Sequence, residues 1–281
     1  MGDIWLQRFE FCSEVPNSVL RKVEKMMEKS GGVTRLRELR KLLKRYPDCP
    51  DLIMAQALTM SEVYEDQKEL DFLEKEFGRL VRKYNINLRD PIPWSHPGNR
   101  PFLRMFFRIG KLYFEDGKFI ACKNVFENLI GLNPNDEQGA KWYLMKCYLE
   151  LGEYDRLVEF TMLYPIESNV AVGMNRLLGL LKLDLIEEAQ KVFNEVVKIY
   201  AIAMEYLVDG EPENLGFEPK VYISVGRTGA YMYFKHFYGY WESEDLNFLK
   251  ERIDIIRDMA SNIRSEILEE TFEIKEYLGE Q

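Results

Sequence analysis

Residues 99–165 read NRPFLRMFFRIGKLYFEDGKFIACKNVFENLIGLNPND (99–136) and then EQGAKWYLMKCYLELGEYDRLVEFTMLYP (137–165). Two helical hairpins are written there in succession. Gly117 and Gly152 stand 35 residues apart, and each is followed two residues on by an aromatic, Phe119 and Tyr154. Recurrence at a period of roughly 20–50 residues is the mark of a stacked helical repeat, and it governs how the rest of the chain is read.

The first of these hairpins resembles the tetratricopeptide repeat, a helix–turn–helix unit of about 34 residues. With Pro134 as the closing proline, Phe106 takes the tryptophan position and Ile109–Gly110 stands for Leu–Gly. Tyr113 is the tyrosine, Cys122 the small residue and Phe126 the aromatic. A small residue lets two helices approach, a glycine makes the turn, and proline stops the second helix. A second unit has Leu144, Tyr148, Gly152 and Tyr154, with Leu157 at the small position and Pro165 cutting it short. A third has Leu180, Ile186, Ala189 and Phe193, with Asp184 where the glycine belongs.

The resemblance implies that the first helix of each pair lines a concave groove. Its groove positions fall on Arg104, Phe107, Lys111 and Phe114 in the first unit, and on Trp142 and Lys146 in the second. Cations beside aromatics suit a peptide carrying acidic and apolar side chains. The alternative is that these residues pack against neighbouring helices. The lysine and asparagine pattern that grips chaperone tails is missing, because Phe107 and Tyr143 occupy two of its positions.

The chain has 281 residues, 46% of them hydrophobic, enough for a large core. No apolar run reaches the roughly 18 residues that span a bilayer. The opening MGDIWLQRFEF has an early acid and no basic stretch, unlike a signal peptide. Cys12, Cys49, Cys122 and Cys147 show no metal or redox spacing, so four reduced thiols in a cytoplasmic protein are expected.

Net charge is −9, unevenly spread. Residues 21–45 hold ten bases and three glutamates, while residues 242–281 hold twelve acids and five bases. The basic residues fall between the leucines of two helices, which makes them solvated faces. Within them Arg37, Arg40, Lys41 and Lys44 form a possible basic patch for nucleic acid or an acidic protein. Self-association of basic head with acidic tail is a further possibility.

Along the chain, residues 1–85 read as an aromatic lead-in and two helical hairpins, near 18–46 and 50–85. Asp66 and Glu69 form a capping box at the start of the last helix. Residues 86–100 are a proline-rich linker, 101–208 the repeats, and 209–281 a loop and capping helices of one continuous array. Residues 227–241 read as a helix with an aromatic face, and a last long helix starts at Asp245.

Catalytic motifs are not evident. His96 and His236 lack the companions of a zinc site. Val225–Gly229 precedes a helix and suits a loop better than an anion site. The expectation is an all-α, right-handed α-α superhelix of about six hairpins. It acts without cofactor as a non-catalytic scaffold for a protein or peptide. The alternatives are a nucleic-acid-associated factor and, behind it, an enzyme with a site near 222–241.

Overall fold

The computed structural model describes residues 7–29, 31–64, 66–136, 138–216 and 226–278. Among them there are thirteen α-helices and no strand. The chain divides into two compact units, residues 1–147 and 148–281.

The first unit holds α1 (Asn17–Lys29), α2 (Gly32–Arg45), α3 (Pro50–Val63), α4 (Asp66–Lys83), α5 (Arg100–Glu115) and α6 (Phe119–Leu132). Most of α7 (Ala140–Glu150) belongs to it as well. Helix α3 is apolar nearly all round, so it can be covered on several sides, and it packs against α2, α4 and α5. Leu39, Leu52, Ile53, Leu73, Leu80, Phe102 and Phe126 are completely buried. A run of stacked rings ties the layers together: Phe11 on Phe102 at 5.4 Å, Phe102 on Phe77 at 4.9 Å, and Phe77 on Phe106 at 4.5 Å.

The proline-rich linker is held inside this unit by the lead-in. Gln7 donates from its backbone to Pro91 O (3.0 Å) and from its side chain to Asn87 O and Asp90 O. Asn99, fully buried, accepts from Phe9 N at 2.8 Å and donates to Gln7 O and Pro93 O, both at 3.1 Å. Gly98 is required here, because a Cβ would stand 2.1 Å from Phe9 O. Replacing Asn99 by Ala strands Phe9 N–H and two carbonyls. A loss of about 2 kcal/mol is expected, read from a shifted urea midpoint.

The second unit holds α8 (Tyr154–Met162), α9 (Val170–Lys182), α10 (Ile186–Asp209), α11 (Gly226–Phe237), α12 (Ser243–Lys250) and α13 (Ile253–Leu278). Helix α10 packs against α9, α11 and α13 and leaves helical geometry at Tyr200, whose ring lies against Gly173. Burial pushes the Tyr233 phenol far up; its hydroxyl donates to Asn175 Oδ1 at 2.9 Å and accepts from Trp241 Nε1 at 3.0 Å. The Tyr233 hydroxyl and Trp241 indole of the aromatic segment are thus engaged with the core. Of the segment near 222–241 raised as an enzyme site, residues 222–225 lie outside the described residues, as does Val225 of the anion motif.

The three expected repeat turns share one geometry. Gly117, Gly152 and Asp184 all take left-handed φ, at 69°, 67° and 57°. The next amide bonds back to Tyr113 O, Tyr148 O and Leu180 O respectively, at 2.9, 2.9 and 3.0 Å. The turn residue itself bonds to Phe114 O, Leu149 O and Leu181 O. This is the Schellman closure. Aspartate tolerates the left-handed region better than most residues, so it can stand in for glycine in the third turn.

Several expectations are corrected. The Asp66 end of the expected capping box lies outside the described side chains; the Glu69 carboxylate is fully buried and accepts from Arg108. Arg35, read as solvated, is 3% exposed; it donates to Thr59 Oγ1 and Met27 O and pairs with Glu62. The single terminal helix is two: Glu242 and Asp245 form a capping box at the start of α12 and both hold the half-buried Lys182 ammonium, and the chain turns again before Ile253. Cys12 and Cys49 are joined in a disulfide, contrary to the expectation of reduced thiols. Cys122 and Cys147 carry no disulfide and lie buried with their sulfurs 3.0 Å apart.

Candidate partner-binding grooves

The first helix of a hairpin presents residues three and four apart on one face. On α1 this places Leu20, Val23, Glu24 and Met27 together; on α3 it places Asp51, Met54, Ala55 and Leu58 together. These two faces, with Arg104 of α5, enclose a groove of about 350 Å³. Leu58 is 39% exposed, and Leu20, Met27 and Met54 are half-buried. Methionines on a groove floor adapt to irregular apolar side chains. At its wall Arg104 Nη2 donates to both oxygens of Asp51, at 2.7 and 2.9 Å. The groove therefore offers an apolar floor and a partly exposed pair of opposite charges.

Arg104 is thus the one expected groove residue that lines this cavity. The others follow along the same face of α5 and onto α7. Phe107 and Phe114 are half-buried and set edge-on to Tyr143, at 5.5 and 5.6 Å. Lys146 Nζ stands 5.6 Å from the centre of the Phe114 ring, a cation–π contact. Lys111 pairs with Glu115 at 3.5 Å. Trp142 is only 6% exposed, on the buried side of α7. It has little surface to give a partner.

Leu20, Met27, Met54 and Leu58 are not legible as site residues in the sequence. In α3 the apolar stripe through Leu52, Ile53, Ala57 and Met60 masks a second apolar face. The signal that could have found it is a helix hydrophobic on more than one side.

A second groove, of about 410 Å³, runs beside α2. Arg37, Arg40, Lys41 and Lys44 line it together with Val33, Leu36, Val63 and Tyr64. The four cations are exposed. Lys41 pairs with Glu38 at 2.7 Å, and its hydrogen bond holds the Glu38 carboxyl below the usual range.

Residues 103–136 match the family model of the tetratricopeptide repeat. Within that span the expected packing is present: Cys122 and Phe126 are completely buried, Phe106 and Ile109 nearly so, and Gly110 lies where a Cβ would stand 2.8 Å from Phe126 Cζ. The chain thus carries a tetratricopeptide repeat in an all-α fold. Two solved structures are similar: the nearly identical TPR-like repeats of a putative kinesin light chain from Podosopora anserina, and a single-substitution form of the same repeats. Their TM-scores are 0.45 and 0.44, each at 12% identity, covering 64% of this chain and 92% of theirs. No curated protein matches the chain. No described helix is long and apolar enough to cross a membrane.

Proposed function

We propose that this protein is a non-catalytic scaffold that binds a segment of another protein in the groove formed by α1, α3 and α5. One observation carries the reading. The groove places half-exposed leucine and methionine side chains beside an accessible arginine–aspartate pair, on the first helices of successive hairpins. That combination suits an apolar anchor flanked by a charged residue, the pattern of a few central anchors within a polar rim. The aromatic and cationic residues further along α5 and α7 extend the same face. The tetratricopeptide repeat at 103–136 supports an interaction role.

Selection of peptides from a displayed library against the whole protein tests this. Peptides with an apolar residue beside a charge are expected to be enriched. Leu58→Asp removes apolar surface from the groove and puts a charge in its place. It is expected to weaken those peptides about tenfold or more, with thermal melting little changed. Failure to enrich any peptide, or equal binding by Leu58→Asp, would overturn the proposal.

A further inference from the structure

We propose that the groove beside α2 is a second, separate docking site, and that its occupant is an acidic protein segment. The segment carries carboxylates about one helical turn apart with an apolar side chain between them.

Arg37, Arg40, Lys41 and Lys44 are spaced i, i+3, i+4 and i+7, so they form one stripe about 10 Å long on the exposed side of α2. Like charges at this spacing repel and weaken the helix that bears them. Only Lys41 is answered by a carboxylate; Arg37, Arg40 and Lys44 take part in no ion pair among the described residues. The buried or half-buried Arg35, Arg79 and Arg108 are neutralised within the fold, by Glu62, Asp48 and Glu69. Three of the stripe's four cations are not answered in this way, which leaves a positive field for a partner.

The apolar part of the groove sets the partner's chemistry further. Val33 is 66% exposed and Tyr64 is 47% exposed, and Lys68 adds a charge 4.8 Å from the centre of the Tyr64 ring. A floor of this kind accepts one aliphatic or aromatic side chain, while the stripe pairs with the carboxylates around it. Nucleic acid fits less well. Single strands are held by several stacking aromatics along a cationic track, and here one tyrosine faces the groove. A chain of net charge −9 also repels a long polyanion. A short segment senses only the local field, because charges beyond about 8–10 Å are screened at physiological salt.

The probe is a labelled synthetic peptide of about twelve residues with glutamates at i, i+3, i+4 and i+7 and a leucine between. Binding to the full chain is followed by fluorescence anisotropy, with an oligouridine RNA as the second arm. The peptide is expected to bind in the micromolar range and to weaken several-fold from about 50 to about 200 mM salt. The R37E/R40E/K44E variant is expected to lose roughly tenfold or more. These side chains are exposed, so melting and the Leu58-dependent peptide binding at the other groove are expected to persist. If this variant does not fold, R37Q/R40Q/K44Q replaces it. No peptide binding, equal binding by the variant, or tighter binding of the RNA than of the peptide would overturn the proposal. None of these outcomes touches the α1/α3/α5 groove, whose test depends on Leu58.

Discussion

Arg108→Leu is expected to destabilise the first unit by about 3–5 kcal/mol, seen as a urea midpoint shifted down with an unchanged slope. The reason lies on α4. Glu69 has no exposed surface, and its two oxygens accept from Arg108 Nε at 2.7 Å and Nη2 at 2.9 Å. Removing the guanidinium leaves a buried carboxylate with its main donors gone, and the desolvation already incurred has nothing to offset it. The double variant Glu69→Leu/Arg108→Leu separates this from simple loss of packing. It removes the charge together with its partner, and replacing a buried pair by apolar residues of similar size is often neutral or better. Recovery to within about 1 kcal/mol of the parent is therefore expected. A double variant as unstable as Arg108→Leu would show that the pair itself holds α4 to α5.

The same pair shows what a sequence can and cannot disclose. Glu69 lies three residues after Asp66, and local spacing makes that a helix cap. Local spacing does not disclose its buried pairing with Arg108, 39 residues away on another helix. Arg35 is misplaced for a related reason, since an amphipathic pattern assigns every charge to solvent and cannot see Thr59 and Glu62 waiting across the hairpin. The repeat itself is legible because its constraints are local. Gly110 must be small where Phe126 crosses it, and Gly117 must accept left-handed φ. Asp184 carries the same backbone without the glycine, so pattern alone undersells the third turn. The groove is half legible. The groove positions implied by the repeat resemblance name Arg104, but the walls from α1 and α3 become visible only once those helices are laid beside α5. On α2 the spacing alone puts all four cations on one helix face.

Breaking the Cys12–Cys49 bond is expected to lower the melting midpoint of the first unit by roughly 10 °C, from a loss of about 4 kcal/mol. The two cysteines are 37 residues apart, and the loop they close contains all of α1 and α2. Opening it restores conformational freedom to the unfolded chain, which is where most of the effect lies in the loop-entropy account. It also loosens a small cluster, since Val15, Val23, Leu39, Cys49 and Leu52 pack together around the junction. The measurement is a melt with and without dithiothreitol, repeated on Cys49→Ala. The reductant is expected to shift the parent and leave the variant where it already lies. Cys122 and Cys147 do not form part of this response, because neither is disulfide-bonded. Counting alkylatable thiols in rapidly quenched cell extracts extends the test to the compartment, since disulfides persist where the surroundings are oxidising and are rare in the cytosol. Two reactive thiols after denaturation would mean the bond is kept in the cell and would sink the cytoplasmic expectation. Four would mean that Cys12 and Cys49 lie in contact as thiols, and that α1 and α2 are held by the core cluster alone.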